Sequence, residues 1–378
     1  MRLLMTTDTV GGVWSYSLEL ARALEPQGVQ IALATMGAPL SQAQRKQVNS
    51  LRNVSLFEST YKLEWMEDPW QDVERSGAWL RDIQEMCSPH IVHLNGYAHG
   101  RFDFGVPKLV VAHSCVLSWW EAVKGEAAPS KWNHYRDEVS EGLKGSDMVV
   151  APSHAMLSAL MKHYGPLPRT KVIYNGRSGE NYRRGEKQEM IFTAGRIWDE
   201  AKNISALEQI APGLSSPVYV AGDDTNPNGK SATQFALNKL GMLDDAGMTA
   251  WLSRAGIYCL PARYEPFGLS ILEAALSGCA LVLGDIDSLR EIWADTAVYV
   301  DPDDTFGLST ALEKLTQSPA RRTELGLRAY ARALRYSTTA MADSYLAVYR
   351  DLLRTANAPA YLQEIHPTYV PSAYAYRG

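Results

Sequence analysis

Two glutamates, Glu265 and Glu273, bracket the segment of this sequence with the strongest chemical pattern. Between them, Pro266 restricts the turn and Gly268 lets the backbone come close to a bound group. If a helix begins near Leu269, its first amides are free to bind an anion. At about 1.5 Å of rise per helical residue, the two carboxylates would lie roughly 10 Å or slightly more apart. That separation is too large for two carboxylates acting on one bond, but it matches the span from a sugar through a diphosphate to a ribose.

Two cations could bind the same diphosphate. The predicted strand 190–194 leads into Gly195 and Arg196, and Lys202 follows six residues after Arg196. A guanidinium fork and an ammonium point charge near the end of a strand can hold a diphosphate. Taken alone, the two residues would also fit ordinary solvated cations, so this hypothesis depends on the neighbouring Glu265 segment.

A pair of glycines gives a third signal for phosphate binding. The predicted strand 2–7 is followed by Gly11 and Gly12, and then by an amphipathic helix over residues 15–24. Glycines between a strand and a helix let backbone amides approach an anion at the start of the helix. The pattern is not the Gly-x-Gly-x-x-Gly dinucleotide fingerprint, and a tight turn into a helix explains it equally well.

His113 ends the predicted strand 108–113, and a group of aromatic residues follows it. A histidine at the end of a strand can take part in a reaction or simply satisfy its hydrogen bonds in a core, and both interpretations stand equal here. Aromatic faces stack on sugar rings, but they also form cores and partner or membrane contacts, and core packing is the simpler interpretation for any one of them. The group consists of Trp119, Trp120, Trp132 and Tyr135.

No residue pattern predicts a metal site. Two Asp-x-Asp pairs, at 285–287 and 301–303, follow predicted strands and are typical of loop and helix-cap residues. His90 and His93 lack the further ligands of a zinc site. The four cysteines lie far apart without the paired spacing of zinc or redox sites, so we expect them to pack in cores. They are Cys87, Cys115, Cys259 and Cys279.

These motifs follow the strands of a repeated α/β pattern. Short runs rich in Val, Ile and Leu alternate with segments of helical period, which predicts parallel sheets buried on both faces. The pattern stops at a polar, Arg-rich stretch, 175–187, and then starts again, so we expect two Rossmann-like domains that face each other across a cleft. The predicted strands are 2–7, 29–35, 91–94, 108–113, 148–151 and 171–174 in the first half, and 190–194, 217–221, 257–261, 280–284 and 297–300 in the second.

The predicted boundaries divide the chain into four parts. The first domain covers residues 1–175 and the second covers 176–340. A helix over 341–354 follows, and then an extended tail over 355–378, in which prolines interrupt any period.

Length and composition limit the functions that this chain can have. At 378 residues, 46% of them apolar, the chain suits two domains of ordinary size. A net charge of −5 without a basic stripe argues against a nucleic-acid partner. The first residues lack the apolar core of a signal peptide, and no stretch reaches the length of a membrane span. We therefore expect a cytoplasmic protein and leave peripheral membrane contact open.

Residues 264–273 resemble the Glu-x7-Glu signature of retaining glycosyltransferases of the GT-B fold, in particular glycosyltransferase family four, also called glycosyl transferases group 1. Further motifs in the same order extend this resemblance over about residues 1–350. The resemblance implies that the first domain faces the acceptor and the second binds a nucleotide sugar. The supporting motifs are Gly11-Gly12, Ala151-Pro152-Ser153, residues 172–176, Gly195-Arg196, Lys202-Asn203, residues 220–223, Leu240-Gly241, Asp285-Ile286 and Arg290-Glu291.

The resemblance also implies a role for each site residue. Glu265 would contact hydroxyls of the donor sugar, and Glu273 would contact those of the ribose. Arg196 and Lys202 would bind the diphosphate and act on it during catalysis, and His113 would lie near the sugar. The other implied donor contacts are Phe267, Gly268, Leu269 and Ser270 at the start of the helix, and Gly11 and Gly12 in the opposite domain.

The chain departs from the family pattern at two places. Arg177 follows Asn175-Gly176 where the family often has an aspartate, so the contacts at the domain junction are expected to differ from the family pattern. The spacing from Arg196 to Lys202 is one residue longer than usual, which concerns the placement of Lys202.

These observations predict a retaining glycosyltransferase that moves a hexosyl group from a UDP, GDP or ADP sugar to a sugar, glycan or small-molecule acceptor. Arg196 and Lys202 would stabilise the departing diphosphate, so we expect neither a metal nor another cofactor. Two alternatives stay open. A nucleotide-sugar epimerase of the same fold would need an acid or base at the sugar ring but no acceptor, and a non-catalytic protein would only bind the sugar nucleotide.

Overall fold

The computed structural model describes residues 1–225 and 236–356 of the chain. In its first half, seven parallel strands form one sheet in the order β3-β2-β1-β4-β5-β6-β7. Central strands such as the fourth and the sixth are buried along their whole length, because helices cover both faces of the sheet. The strands are β1 (Arg2–Asp8), β2 (Gln30–Met36), β3 (Val54–Glu58), β4 (Ile91–Leu94), β5 (Lys108–Val111), β6 (Met148–Ala151) and β7 (Thr170–Val172).

The described residues of the second half form a sheet of six parallel strands, in the order β10-β9-β8-β11-β12-β13. In both sheets the first strand lies in the interior, and the order in which later strands are added reverses beside it. This is the doubly wound topology of Rossmann-like domains. The predicted α/β architecture of two Rossmann-like domains is confirmed. The strands are β8 (Gln188–Ala194), β9 (Val218–Ala221), β10 (Asn238–Gly241), β11 (Ala255–Leu260), β12 (Ala280–Gly284) and β13 (Val298–Val300).

Two strands, β3 and β10, were not predicted from the sequence. Both lie at the edge of their sheet, and most of their residues are partly or fully exposed. An edge strand needs no continuous apolar run, because its outer side faces solvent, so a search for buried runs misses it.

The helices cover the faces of the two sheets. Those of the first half are α1 (Gly12–Leu24), α2 (Gln42–Asn49), α3 (Trp70–Cys87), α4 (Val116–Lys124), α5 (Asn133–Lys144) and α6 (His154–Tyr164). Those of the second half are α7 (Ile204–Ile210), α8 (Asp245–Arg254), α9 (Leu269–Leu276), α10 (Asp287–Trp293), α11 (Thr305–Thr316), α12 (Pro319–Ala333) and α13 (Thr338–Ala356).

The last helix returns to the first domain. Helix α13 carries Met341, Tyr345, Tyr349 and Leu352 along one face, at the spacing of an amphipathic helix, and buries them in the core of the first domain beside α1. The helix is longer at both ends than the predicted 341–354. Of the predicted tail, residues 357–378 lie outside the described part of the chain.

Within residues 1–225 and 236–356, no helix combines the length and the apolar character needed to cross a membrane.

Candidate active site

The predicted site residues lie where the carboxyl ends of the two sheets face each other. A Cβ atom built on Gly11, after β1, would lie 3.1 Å from the guanidinium Nη1 of Arg196, after β8. One built on Gly12 would lie 3.9 Å from Cδ1 of Leu269. Since β1 and β8 adjoin the point where each sheet reverses, the two domains bring their ligand-binding edges together here.

The start of α9 provides free backbone amides. Gly268 caps the helix with φ of 89°, a left-handed conformation that favours glycine, and no side chain caps the helix. The ring of Phe267 is buried edge-on against Tyr336, so only its backbone can face a ligand. Ser270 accepts a hydrogen bond of 2.8 Å from the Tyr258 hydroxyl. The helix N-terminus can therefore receive a phosphate oxygen.

Glu265 and Lys202 form an ion pair at this edge. The Lys202 ammonium lies 2.5 Å from Oε2 of Glu265, and about one seventh or less of either side chain is exposed. Ser288 donates a hydrogen bond of 2.6 Å to the backbone oxygen of Glu265 and fixes that loop. The longer spacing between Arg196 and Lys202 therefore still brings Lys202 to the glutamate loop.

Glu273 pairs with Arg177, the residue at which the chain departs from the family pattern. Nη2 of Arg177 lies 2.5 Å from Oε1 of Glu273, and Nη1 of Arg177 lies 3.7 Å from Oε1 of Glu19 on α1. Burial raises the pKa of Glu273, and the charge of Arg177 offsets part of that rise. The guanidinium leaves Oε2 of Glu273 available for another donor. The sequence marked Arg177 as unusual but gave no sign of this ionic contact between domains.

His113 is held by two residues of the first domain. Its Nε2 donates a hydrogen bond of 2.8 Å to the Asn95 side-chain oxygen, and its ring packs edge-on against Tyr16 at 4.5 Å. Burial lowers the pKa of His113 to about 3, so the ring is neutral near neutral pH. His93 lies behind it, bonded to Tyr16 and to the Tyr349 hydroxyl. His93 is thus a core residue, whereas His113 is only partly buried.

Two acidic residues near the cations were missed by the sequence analysis. Asp199 is buried and bonds Arg196 through Nη2 at 2.7 Å. Asp8, at the end of β1, accepts a hydrogen bond from the Val10 amide, and burial raises its pKa to about 7. An aspartate at the end of a first strand could have been noticed, because that position borders the ligand edge.

Comparison with known proteins agrees with this geometry. A family model described as Glycosyltransferase Family 4 matches residues 10–178, and a model described as Glycosyl transferases group 1 matches residues 188–318. The chain belongs to these glycosyltransferases. The predicted family is confirmed.

Curated relatives of this glycosyltransferase are bacterial enzymes. The glycogen synthase of Mycobacterium tuberculosis is 29% identical over 55% of this chain and 56% of its own length, so the chain spans little more than half of that relative. The phosphatidyl-myo-inositol mannosyltransferase of Mycobacterium leprae is 24% identical over 90% of this chain and 93% of its own length.

Solved structures show the same fold. Sucrose-phosphate synthase from Thermosynechococcus elongatus aligns with a TM-score of 0.77 at 17% identity, covering 94% of this chain and 99% of that one. HepE from Anabaena, in complex with UDP-glucose, aligns with a TM-score of 0.71 at 15% identity, covering 93% of this chain and all of that one. The glycosyltransferase therefore has the GT-B fold.

The remaining motifs have structural partners in this glycosyltransferase. Asp285 pairs with Arg290, and Asp303 pairs with Arg263 at 2.6 Å. Glu291 accepts hydrogen bonds from the first amides of α6 in the other domain, at 2.8 and 2.9 Å. Among residues 1–225 and 236–356, no three His, Cys, Asp or Glu side chains are grouped as a metal site would need.

The aromatic group is divided between core and domain interface. Tyr135 is buried in the first domain, and its hydroxyl accepts a hydrogen bond from the Val116 amide. Trp119 instead donates a hydrogen bond of 3.1 Å across the cleft to Asp199. Tyr264, next to Glu265, also bridges the domains, because its hydroxyl accepts a hydrogen bond of 3.0 Å from the Cys115 amide.

Proposed function

We propose that this glycosyltransferase is a retaining hexosyltransferase that uses a nucleotide-diphosphate sugar. The observation that carries the proposal is the Lys202–Glu265 ion pair beside the uncapped N-terminus of α9. Arg196 approaches the same edge and meets Gly11 across the cleft. Two cations and the free amides of α9 thus lie at the facing edges of the two sheets, where they could bind a diphosphate, and the carboxylate of Glu265 beside them could bind sugar hydroxyls.

In the proposed reaction, the positive groups act on the departing nucleotide. Negative charge grows on the diphosphate as its bond to the anomeric carbon weakens. Arg196, Lys202 and the α9 amides stabilise that charge without a metal or another cofactor. Glu265 holds hydroxyls of the sugar, and the available oxygen of Glu273 takes a ribose hydroxyl. No side chain acts as a covalent nucleophile, since the leaving phosphate oxygen takes the acceptor proton on the same face of the sugar.

The names of the relatives support a hexosyl donor and several acceptor classes. One relative is a glycogen synthase and another a phosphatidyl-myo-inositol mannosyltransferase, and HepE was solved with UDP-glucose. We therefore propose a UDP, GDP or ADP hexose as donor and a sugar, glycan or other polyol as acceptor.

A two-step experiment tests this function. Thermal unfolding is first measured with UDP, GDP and ADP sugars, because a ligand that binds only the folded protein raises its apparent stability. The stabilising donor is then incubated alone and with acceptors, and the products are analysed by NMR. We expect transfer with retained anomeric configuration. Conversion of the sugar while it stays on the nucleotide would instead show an epimerase, and donor binding without any product would show a binding protein.

A further inference from the structure

The carboxylate of Asp199 connects the two cations of the donor site. Its Oδ2 accepts a hydrogen bond of 2.7 Å from Nη2 of Arg196. Its Oδ1 accepts one of 3.0 Å from the amide of Ala201, at the start of the 3₁₀ turn Glu200–Lys202. The Asp199 backbone oxygen accepts one of 2.9 Å from the Lys202 amide. The side chain and backbone of one residue therefore set both the direction of Arg196 and the turn that delivers Lys202.

Arg196 keeps donors free for a ligand in this arrangement. Asp199 takes one of its terminal nitrogens, while Nη1 lies on the side of Gly11. Its Nε atom is buried and has no hydrogen-bond partner among the described residues. The terminal nitrogen Nη1 is therefore the group that could meet a phosphate oxygen of the donor.

The fourth contact to Asp199 comes from the other domain. Trp119 on α4 donates its indole N–H to Oδ1 of Asp199 at 3.1 Å. Asp199 itself is 5% exposed, so this hydrogen bond is shielded from water. Because Trp119 belongs to the first domain, the contact exists only while the two domains are together.

We propose that Asp199 is a positioning residue that, through Trp119, makes the placement of the diphosphate-binding Arg196 depend on contact with the acceptor-side domain. This inference rests on the proposed function and adds a coupling between the two domains. It also explains the extra residue between Arg196 and Lys202. The longer loop has room for the carboxylate of Asp199, which bonds back to Arg196.

The neighbouring tryptophan supplies a matched control. Trp120 also lies on α4, and its indole nitrogen is buried without a hydrogen-bond partner among the described residues. Trp119→Phe removes the donor to Asp199 and keeps an aromatic ring. Trp120→Phe makes the same chemical change one residue away without touching Asp199. Asp199→Asn keeps an acceptor for Trp119 but removes the charge that holds Arg196.

The experiment measures the affinity of the intact protein for UDP and UMP, GDP and GMP, and ADP and AMP by calorimetry. For the base that the wild-type protein binds, we expect Trp119→Phe to weaken diphosphate binding roughly fivefold and Asp199→Asn more than tenfold. Monophosphate binding should stay within twofold in both variants, because Arg196 acts on the diphosphate. Trp120→Phe should change neither affinity. The double variant Trp119→Phe/Asp199→Asn should have the same diphosphate affinity as Asp199→Asn alone, since Trp119 affects Arg196 only through Asp199.

Three results would overturn the inference. Diphosphate affinity could be unchanged in Trp119→Phe, diphosphate and monophosphate affinity could fall equally, or Trp120→Phe could match Trp119→Phe. If Asp199→Asn does not fold, the two tryptophan variants still decide the question. If the wild-type protein binds none of the nucleotides, the proposed function itself fails, and this inference fails with it.

Discussion

The ammonium of Lys202 lies 2.5 Å from the carboxylate of Glu265, although the two residues come from loops after different strands. The contact balances the charge of Glu265 with that of Lys202 and holds Lys202 where we propose that the diphosphate binds. Lys202 can therefore hold the glutamate before the donor arrives and act on the diphosphate afterwards.

Replacement of Lys202 should lower turnover more than stability. We expect Lys202→Met to reduce kcat by about 100-fold or more, because one preorganised positive group is lost from the leaving diphosphate. Arg196→Ala should act in the same direction. Kinetics with the donor identified by thermal shift will measure the effect.

Lys162→Met provides the control for this prediction. Lys162 forms an ion pair with Glu121 on the surface, where 64% of its side chain is exposed, so its removal should not alter kcat. Full activity of a folded Lys202→Met variant would show that the phosphate assignment is wrong.

The two glutamates should fail in different ways. Glu265→Gln should depress turnover more than donor affinity, because charge and ring shape change at the sugar during reaction. Glu273→Gln should mainly weaken donor binding, since ribose hydroxyls do not change. Calorimetry beside steady-state kinetics separates the two effects. Normal turnover of Glu265→Gln, together with an inactive Glu273→Gln of unaltered affinity, would contradict the assigned roles.

Arg177 should support Glu273 and join the domains. Arg177→Gln leaves the buried carboxylate of Glu273 without its cation, which should cost about 3 kcal/mol of unfolding free energy. Donor affinity should fall as well, because Glu273 loses its orientation. Chemical denaturation and calorimetry measure both quantities.

Glu19→Gln is the matched comparison for Arg177→Gln. Glu19 lies 3.7 Å from the same guanidinium, and Arg177 keeps its contact with Glu273 when Glu19 is neutral. We expect a smaller loss of stability and no loss of donor affinity. Equal effects of the two substitutions would show that Arg177 serves the domain interface rather than Glu273.

Asp8 should make stability depend on pH. Burial raises its pKa to about 7 in the folded protein, from an ordinary value near 4. The folded state therefore holds this proton up to a higher pH than the unfolded state, and the contribution of Asp8 to stability is lost as pH rises from about 4 to 7. Asp8→Asn should gain on the order of 4 kcal/mol over wild type at pH 8, and almost nothing at pH 4, because one pKa unit corresponds to about 1.4 kcal/mol.

Denaturation of both proteins at several pH values tests this difference. Other titrating groups, including the buried His113, contribute equally to the two proteins and cancel. A stability difference that does not change between pH 4 and pH 8 would mean that Asp8 keeps an ordinary pKa in the folded state.

Removal of metal ions should leave the reaction nearly unchanged. In the proposed mechanism, Arg196, Lys202 and the α9 amides supply the positive charge that a metal supplies in other transferases. Activity measured before and after treatment with EDTA should agree within about twofold. A strict requirement for Mg²⁺ or Mn²⁺ would contradict the proposed mechanism.

The sequence by itself determined the class of fold and predicted the residues of the proposed donor site. Continuous apolar runs predicted the buried strands of both sheets, because such runs are stable only when helices cover both faces. The segment from Glu265 to Glu273 and the cations Arg196 and Lys202 lie at the carboxyl edges of strands, as the alternation of strand and helix required. Local order along the chain carries this information.

Only the tertiary structure decided which charges meet. Arg177 contacts Glu273 and Glu19, residues 96 and 158 positions away and on two different helices, and Trp119 reaches Asp199 across the cleft. The packing of α13 on the first domain likewise brings residues 338–356 next to α1. These contacts depend on how two folded domains and their helices dock. Periodicity and spacing describe one segment of the chain at a time. They therefore cannot predict an ion pair or hydrogen bond between residues that are far apart in the sequence and meet only when the domains pack.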